Sequence, residues 1–330
     1  MKVISSIYKE KKNAAPKAPS DIDRILKKEY GAKTISIIRN RIYKYRVLFH
    51  FLLNKFYKEP LVLQYPLILK SELYNILPHD KTIILIHDLV GLRNKNDEIL
   101  KKEIAILKKF KYIIAHNNKM KDFLIMNGID KNCIFCLEIF DYLADGNINE
   151  NRKISSIPQI IYPGNLKKEK SPFLFQLESK KMSYILNVYG LGINENINDK
   201  VIYKGSFEPD QIEKLEGDLG LIWDGDWNEN DEDNIFKAYT KYNNPHKLSC
   251  CLAIGVPVIV WRKSAIADFV IKNNVGYVIN NLYDINHLDF SDYDEKRKNA
   301  VKIGKKLREG FYTRNIFEII MNRIRGKKID

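Results

Sequence analysis

Residues 242–261, with the sequence YNNPHKLSCCLAIGVPVIVW, constrain the fold more than any other part of the chain. Pro245 suits the first turn of a helix, where its missing N–H group has no partner to lose. Gly255 can adopt the left-handed backbone conformation that ends a helix, and Pro257 prevents the helix from continuing. The apolar run Val258–Trp261 then predicts a short strand buried on both faces. The stretch therefore predicts a tight helix-to-strand step of an α/β domain.

The start of this helix carries His246 and Lys247. A helix N-terminus presents N–H groups without intrahelical partners and a partial positive charge, so this cationic pair predicts an anion-binding site. An α–β step without any ligand explains the same residues, and the stretch alone does not decide between the two.

The chain has 330 residues, enough for about two domains of ordinary size. Its net charge of +14 is uneven. Residues 1–155 carry 29 basic and 17 acidic side chains, whereas residues 156–330 carry 26 and 24. A basic first half attracts nucleic acid, anionic membranes or phosphorylated substrates, and charge alone does not distinguish these partners.

The sequence predicts a cytoplasmic protein. It contains no apolar run of roughly 18 residues that would span a membrane, and its first residues lack the apolar segment of a secretory leader. The four cysteines, at positions 133, 136, 250 and 251, fit structural thiols in a reducing compartment. Cys133 and Cys136 have C-x-x-C spacing, but no second pair at zinc-finger spacing accompanies them.

The first half of the chain predicts alternating strands and helices. A Lys- and Pro-rich loop follows the strand predicted at Val3–Ile7, and Lys17 and Asp21 are its candidate ligand contacts. A solvated loop is the alternative. Residues 39–58 combine basic and aromatic side chains in a pattern that predicts an interfacial membrane helix, with a core helix as the alternative.

His87 and Asp88 follow the apolar strand predicted at Thr82–Ile86. The carboxyl end of a strand is a suitable place for a catalytic base or a contact to a substrate hydroxyl. A buried, hydrogen-bonded pair is the alternative. The strand predicted at Cys133–Ile139 ends this series, and the polar residues 144–158 predict a linker.

A second α/β series begins at Gln159, and its first loop, PGNLKKEKSP, is rich in lysine. Gly164 allows close approach of the backbone to a ligand, and Lys167, Lys168 and Lys170 follow it. A glycine turn of this kind after a strand predicts a diphosphate site, and a solvated helix start is the alternative.

Two further features lie at strand ends of this series. Asp224 and Asp226 would suit a divalent cation, but the acidic, Asn-rich loop after them favours an interpretation without metal. A helix predicted to start near Ser264 would direct further N–H groups to the same edge. The chain contains neither G-x-G-x-x-G nor G-x-x-x-x-G-K-[ST], so a dinucleotide fold and a P-loop ATPase are not supported.

Two α/β series joined by one linker, with three anion-suited features in the second, resemble glycosyltransferases of the GT-B fold. The segments that carry a narrower resemblance are IHDLVGLR, IFDYL, YPGNLKKEK, LGLIWDGD, YNNPHK, GVPVIVWRKSAIADFV and GYVI. In order and spacing they resemble bacterial β-1,6-galactofuranosyltransferases of O-antigen and surface-polysaccharide synthesis. More loosely they resemble the glucosyltransferases that extend glycans on serine-rich-repeat adhesins.

The resemblance implies an α/β protein with two facing Rossmann-like domains and a cleft between them. Residues 1–155 would bind the acceptor and residues 156–330 the nucleotide-sugar, with a last helix at about 312–326 packing back on the first domain. It implies a UDP-sugar donor, a glycan acceptor, which in such families is often lipid-linked, and an anionic membrane surface. It implies no required metal, no other cofactor and no nucleic acid, and it leaves a homo-oligomer open.

The resemblance also assigns site residues. Many relatives have Arg where this chain has Asn165, so the nearby lysines would supply the missing charge. His87 and Asp88 would act as the base, with Asp21 behind them, and Lys17 and Asp21 would contact the acceptor. The residues expected to hold the donor diphosphate are Asn165, Lys168, Lys170, Asn244, His246, Lys247, Ser264 and Ala265.

The activity implied is transfer of a hexose, galactofuranose from UDP-galactofuranose, onto a sugar acceptor of a surface glycan. Transfer of glucose or another hexose onto a glycoprotein or polysaccharide is the alternative within this class. Two alternatives belong to other functional classes: a non-catalytic partner subunit of the same fold and a nucleic-acid-binding protein. A metal-dependent transferase that uses Asp224 and Asp226 is a further alternative.

Overall fold

The computed structural model of the protein describes residues 1–6, 16–37, 59–67, 71–228 and 234–326. The helix predicted over residues 39–58 lies outside the described residues. Within them, two fully parallel six-stranded sheets are present, as the two predicted α/β series require. None of the described helices combines the length and the apolar character needed to cross a membrane.

The first sheet has the strand order β2-β1-β3-β4-β5-β6. Strands β3, β4 and β5 are buried at every position, as their apolar runs predict. The strands are β1 (Lys2–Ser6), β2 (Lys33–Ile37), β3 (Leu61–Tyr65), β4 (Thr82–Ile86), β5 (Tyr112–Ala115) and β6 (Ile134–Cys136). The helices are α1 (Lys17–Tyr30), α2 (Val90–Arg93), α3 (Asp97–Leu107) and α4 (Asn118–Met126), with 3₁₀ turns at Ser71–Ile76 and Lys131–Cys133.

Strand β6 is shorter than the predicted Cys133–Ile139. It spans Ile134–Cys136, and the backbone leaves the extended conformation at Glu138, whose φ is 71°. A non-glycine residue in the left-handed region cannot continue a strand, so the prediction was wrong about this end.

The second sheet has the strand order β12-β11-β10-β7-β8-β9. The strands are β7 (Gln159–Asn165), β8 (Ile185–Leu191), β9 (Val201–Tyr203), β10 (Leu219–Ile222), β11 (Val258–Trp261) and β12 (Gly276–Ile279). The helices that follow β7 along the chain are α5 (Phe173–Gln176), α6 (Ile235–Tyr239), α7 (His246–Ala253), α8 (Ala267–Asn273), α9 (Tyr293–Arg308) and α10 (Phe311–Ile324), with 3₁₀ turns at Ser179–Lys181, Ile212–Lys214 and Leu282–His287.

The helix-to-strand step predicted from residues 242–261 is confirmed. Helix α7 begins directly after Pro245 and is followed by the fully buried strand β11. Gly255 has a φ of 70°, in the left-handed region that glycine adopts without a steric penalty.

Close packing sets the position of α7 on the sheet. A Cβ atom at Gly220 of β10 would lie 2.5 Å from Sγ of Cys251 on α7. Any larger residue at position 220 would push the helix away from the sheet. The start of α7 therefore lies where its side chains can reach the carboxyl end of β10.

Contacts between Cα atoms divide the chain into two compact units. The first unit includes β1, the described residues of 18–139, and residues 312–326; within it the ring centroids of Tyr30 and Phe317 lie 6.5 Å apart. The second unit includes Lys17 and residues 140–311. Residues 140–155, which precede the predicted domain boundary, thus belong to the second unit. The predicted division of acceptor and donor binding at residue 155 stays a prediction.

Candidate active site

The second sheet reverses its strand order between β7 and β10. Counted from β7 as the first strand and β10 as the fourth, the strands lie in the order 3-2-1-4-5-6, which is typical of a doubly wound sheet. Ligands of such sheets bind outside the carboxyl ends of the strands at the reversal point. Asn165 ends β7, and Trp223 and Asp224 follow β10 directly.

Lys247 reaches this point from the first turn of α7. Its Nζ donates to the carbonyl oxygen of Trp223 at 2.7 Å and to Oδ1 of Asp224 at 2.7 Å. The lysine and aspartate side chains are only 9% and 8% exposed. Little water competes for such a buried pair, and each charge depends on the other for compensation.

The hydroxyl group of Tyr162 lies at the centre of the same cluster. Nζ of Lys247 donates to it at 3.2 Å, and it lies 2.7 Å from Oγ of Ser171. Burial raises the pKa of Tyr162, and the charge of Asp224 raises it further, so the phenol remains neutral. Oγ of Ser171 also lies 2.7 Å from the carbonyl oxygen of Asn165, so the cluster ties the ends of β7 and β10 together. We call Tyr162, Ser171, Asp224 and Lys247 the switch-point cluster.

The lysine-rich loop after β7 lies beside this cluster. The N–H group of Gly225 donates to the carbonyl oxygen of Lys170 at 3.0 Å, and Nζ of Lys170 lies 5.6 Å from the ring centroid of Phe236. Oδ1 of Asn165 accepts from the N–H group of Lys167 at 3.0 Å. Lys168 is exposed. The loop thus brings one half-buried and two exposed lysines to the edge where the diphosphate was predicted.

The helix predicted near Ser264 starts later than expected. Helix α8 begins at Ala267, and Oγ of Ser264 donates to the carbonyl oxygen of Trp261 at 2.6 Å. This bond holds Ser264 in a turn before the helix, so the prediction of the helix start was wrong. The N–H group of Ala265 donates to the carbonyl oxygen of Thr240 at 2.9 Å. Asn244 is buried immediately before Pro245.

Lys237 is a buried cation that the sequence analysis missed. It is 1% exposed, and its Nζ donates to the carbonyl oxygens of Asp226 and Asn228. The same atom lies 4.5 Å from the ring centroid of Trp223 and 5.0 Å from that of Trp261, within range of cation–π attraction. Lys237 thus holds the loop that follows Asp224. The sequence signal that could have predicted a buried lysine here is its position inside the apolar segment IFKAY.

His246 lies beside Lys247 in the sequence but packs against a different segment. Its ring is stacked on Tyr142, with centroids 4.8 Å apart, and its Nε2 lies 3.4 Å from the carbonyl oxygen of Asp141. Burial lowers the pKa of His246 to about 4, so the ring is neutral at pH 7 and adds no positive charge. Its predicted contact with the donor stays a prediction, and the contacts observed are the ring stacking on Tyr142 and the hydrogen bond with Asp141.

Lys17, a predicted acceptor residue, lies in this packing cluster of the second unit. Its Nζ donates to the carbonyl oxygen of Leu143 at 2.6 Å and forms a 2.6 Å ion pair with Asp210. The same atom lies 4.8 Å from the ring centroid of Tyr142. Asp21, the other predicted acceptor residue, belongs to the first unit, where it is 1% exposed. Lys17 and Asp21 nevertheless lie one helical turn apart at the start of α1, and their acceptor roles stay predictions.

The two carboxylates considered for a metal have other partners. Asp224 pairs with Lys247, and Oδ1 of Asp226 accepts from Nε2 of Gln176 at 2.7 Å. Within the described ranges, no group of three or more His, Cys, Asp or Glu side chains is arranged to hold a metal ion. Cys133 and Cys136 are half-buried thiols, and Sγ of Cys136 donates to Oδ1 of Asn118 at 3.3 Å.

In the first unit, His87 and Asp88 follow β4 as predicted, but they have separate partners. Nε2 of His87 lies 2.6 Å from Oε1 of Gln64 on β3. Asp88 forms an ion pair with Arg93 of α2. Both residues are half-buried. The catalytic role predicted for the two residues and the alternative of a buried, hydrogen-bonded pair both stay predictions.

Two family sequence models match the chain. The model described as "Glucosyltransferase 3-like, N-terminal domain" matches residues 1–139, and "Glucosyltransferase 3-like, C-terminal domain" matches residues 160–320. The chain belongs to the glucosyltransferase 3-like family. It is a glycosyltransferase, and the resemblance identified from its motifs is confirmed.

Individual relatives agree with this family. The chain is 29% identical to the β-1,6-galactofuranosyltransferase WbbI of Escherichia coli (strain K12), over 75% of this chain and 73% of the relative. It is 26% identical to Glucosyltransferase 3 of Streptococcus parasanguinis, over 75% and 71% of the two chains.

Solved structures show the fold of this glucosyltransferase 3-like protein. The apo form of the lipopolysaccharide outer core galactosyltransferase WaaB matches with a TM-score of 0.61 at 12% identity, over 98% of this chain and 100% of that chain. Anabaena Alr3699/HepE, determined in complex with UDP, matches with a TM-score of 0.58 at 10% identity, over 98% and 99%. The predicted GT-B fold is thereby confirmed.

The pairing in the switch-point cluster predicts an asymmetric response to mutation. We expect Lys247→Met to lower the free energy of unfolding by about 3–5 kcal/mol, because it leaves the Asp224 carboxylate buried without its cation. The double variant Asp224→Asn/Lys247→Met removes the stranded charge and should recover most of this loss. Urea unfolding of the wild type and both variants measures the effect. Equal losses in the single and double variants would contradict the assigned coupling.

Burial of His246 predicts a pH-dependent stability difference. Its folded pKa of about 4 lies below the ordinary value of 6.5, so the unfolded chain binds this proton more readily. The neutral His246 ring therefore contributes fully to the free energy of unfolding above pH 6.5. This contribution is lost as the pH falls from 6.5 to 4, and the total loss is about 3 kcal/mol. His246→Phe keeps a ring on Tyr142 but does not titrate. Denaturant unfolding from pH 8 to pH 4 should show a shallower decline in the variant, and parallel declines would contradict the prediction.

Proposed function

We propose that this glycosyltransferase moves galactofuranose from UDP-galactofuranose onto a sugar acceptor during synthesis of a surface polysaccharide. The observation that carries the proposal is the buried Lys247–Asp224 pair where the second sheet reverses its strand order. The choice of sugar is supported by the 29% identity to a β-1,6-galactofuranosyltransferase over three quarters of the chain. UDP as the nucleotide is supported by a similar fold determined with UDP.

The role proposed for Lys247 is to hold the donor diphosphate. A glycosyl–diphosphate bond breaks with negative charge growing on the leaving phosphate, and a fixed cation stabilises that charge more in the transition state than in the ground state. Because Lys247 is 9% exposed, little water screens its charge. On donor binding Lys247 exchanges some of its interaction with Asp224 for a phosphate oxygen. Lys168 and Lys170 add charge from the loop after β7.

The acceptor step requires a base if the transfer inverts the anomeric carbon. The acceptor hydroxyl oxygen forms a bond to C1 of the donor sugar, the C1–O bond to the diphosphate breaks, and the diphosphate leaves with the electron pair. The hydroxyl proton passes to the base, for which we propose His87. Asp88 is the second candidate, because its carboxylate already compensates the charge of Arg93.

A second candidate function is glucosyl transfer. It is favoured by the family models and by the two streptococcal relatives named Glucosyltransferase 3, at 26% and 24% identity. A non-catalytic partner subunit would retain the fold without turning over a donor. A donor panel separates these possibilities.

We expect UDP-galactofuranose to give the highest kcat/KM among UDP-galactofuranose, UDP-galactopyranose and UDP-glucose, measured as UDP release and as product by mass spectrometry. A preference for UDP-glucose would favour the second candidate. Absence of thermal stabilisation by UDP and of turnover with every donor would contradict the proposal. Retention of full activity in EDTA would agree with the expectation that no metal is required.

The same assay tests the donor site. Asp224→Asn/Lys247→Met removes the cation without stranding a buried charge, and its kcat/KM should fall by about 10²–10³. Lys214→Met is a matched control, because Lys214 is an exposed lysine of the same unit. Comparable turnover of the double variant and the control would contradict the role of Lys247.

The proposed setting is the cytoplasmic face of the membrane, where a lipid-linked acceptor would lie. Residues 1–155 carry a net charge of +12, from 29 basic and 17 acidic side chains. Each basic side chain near an anionic surface contributes about 1 kcal/mol at most to attraction. The protein should therefore sediment with anionic phosphatidylglycerol vesicles at low salt and be released at high salt. Neutral phosphatidylcholine vesicles are the control. Absence of binding to the anionic vesicles, or equal binding to both kinds of vesicle, would contradict peripheral docking.

A further inference from the structure

The contacts around Gln64 determine which nitrogen of His87 carries a proton. Gln64 lies on β3, next to the point where the first sheet reverses its strand order between β1 and β3. The residue is 3% exposed, so protein groups rather than bulk water satisfy its side-chain amide. His87 follows the neighbouring strand β4.

Two acceptors face one end of the Gln64 amide. Nε2 of Gln64 donates to the carbonyl oxygen of Pro19 at 3.0 Å and to Oδ1 of Asp23 at 2.6 Å. A backbone carbonyl only accepts hydrogen bonds, so the NH₂ group of the amide must face α1. Burial raises the pKa of Asp23 to about 6, while bonds from Gln64 and Thr34 lower it. At pH 7.5 Asp23 is therefore ionised and is a second pure acceptor.

This orientation leaves the amide oxygen of Gln64 facing His87. Oε1 of Gln64 lies 2.6 Å from Nε2 of His87. An amide oxygen only accepts, so Nε2 of His87 must be the donor, and in the neutral ring the unprotonated nitrogen is then Nδ1.

The backbone at the end of β4 is held by separate contacts. The N–H group of His87 donates to the carbonyl oxygen of Tyr65 at 2.7 Å. Nε2 of the buried His116 lies 2.9 Å from the carbonyl oxygen of Ile86. Both carboxylate oxygens of Glu103 accept from the N–H groups of Val90 and Gly91, at 2.9 and 2.8 Å. His87 thus stands on a backbone that is bonded on both sides.

We infer that Gln64, oriented by Pro19 and Asp23, is a positioning residue that fixes His87 in the Nε2–H tautomer and makes Nδ1 the nitrogen that accepts the proton of the acceptor hydroxyl. The catalytic half of this inference rests on the proposed function. The tautomer half does not, because it concerns the protein without substrate. A base held in the wrong tautomer loses its contribution to catalysis, about 10²–10⁴ in rate for a general base.

The first experiment measures the tautomer directly. The full chain labelled with ¹⁵N-histidine has six imidazole rings, and the signals of His87 are those lost in His87→Gln. At pH 7.5 we expect the wild-type ring to show a protonated Nε2 and an unprotonated Nδ1. A protonated Nδ1 in the wild type overturns the inference. This result needs only that His87→Gln folds for the assignment, and it does not need an active enzyme.

The second experiment removes the acceptor. Gln64→Met keeps the length of the side chain but cannot accept from His87. It should shift His87 away from a pure Nε2–H form and lower kcat by at least about tenfold, with the KM for the donor little changed. Retention of the Nε2–H form in this variant overturns the inference.

Thr82→Val is the matched control for loss of a buried hydrogen bond. Oγ1 of Thr82 donates to the carbonyl oxygen of Pro78 at 2.9 Å at the opposite, amino end of β4. We expect this variant to lose stability but to keep the tautomer of His87 and the wild-type kcat. An equal loss of kcat in Thr82→Val and Gln64→Met overturns the catalytic half. A wild type that turns over no donor contradicts the proposed function, and the NMR result still decides the tautomer half.

Discussion

The close approach of helix α7 to strand β10 is the constraint on which the candidate donor site depends. Gly220 leaves no room for a Cβ atom beside Cys251, so the helix rests directly on the sheet. On its other side, a Cβ at Gly304 of α9 would lie 2.3 Å from the carbonyl oxygen of Leu252. These two glycine contacts set the position of α7 against β10 and α9. That position brings Nζ of Lys247 to the end of β10.

The electrostatics of the cluster follow from this placement. A lysine that is 9% exposed would be costly alone, and Asp224 compensates it at 2.7 Å. This compensation keeps the lysine side chain inside the site without a ligand. In the proposed function, a donor phosphate would have to compete with the Asp224 carboxylate for Lys247. His246, in contrast to Lys247, adds no charge to the cluster. One residue earlier on the helix, its ring is rotated by about 100° and packs on Tyr142. There burial keeps it neutral.

Residue patterns predicted much of this organisation, and they failed where local signals competed with tertiary contacts. The apolar runs predicted the buried strands, and the Gly–x–Pro break predicted the end of α7. The segment after Trp261 looked like a helix from Ser264 onward, but a hydroxyl bond to a backbone carbonyl delays the helix to Ala267. Lys237 was missed because its partners, Trp223 and Trp261, come from two other strand ends. No spacing rule connects them.

The sequence by itself determined the two α/β series, the loops that follow their strands and the family to which the chain belongs. These features depend on hydrophobic periodicity, turn residues and motif order, which are local properties of the chain. Only the tertiary structure decided that Lys247 pairs with Asp224, that Lys17 packs with Tyr142, and that Gln64 faces His87. Each of these contacts joins side chains from different elements. The order of strands in the sheets brings those elements together, and no single segment encodes that order.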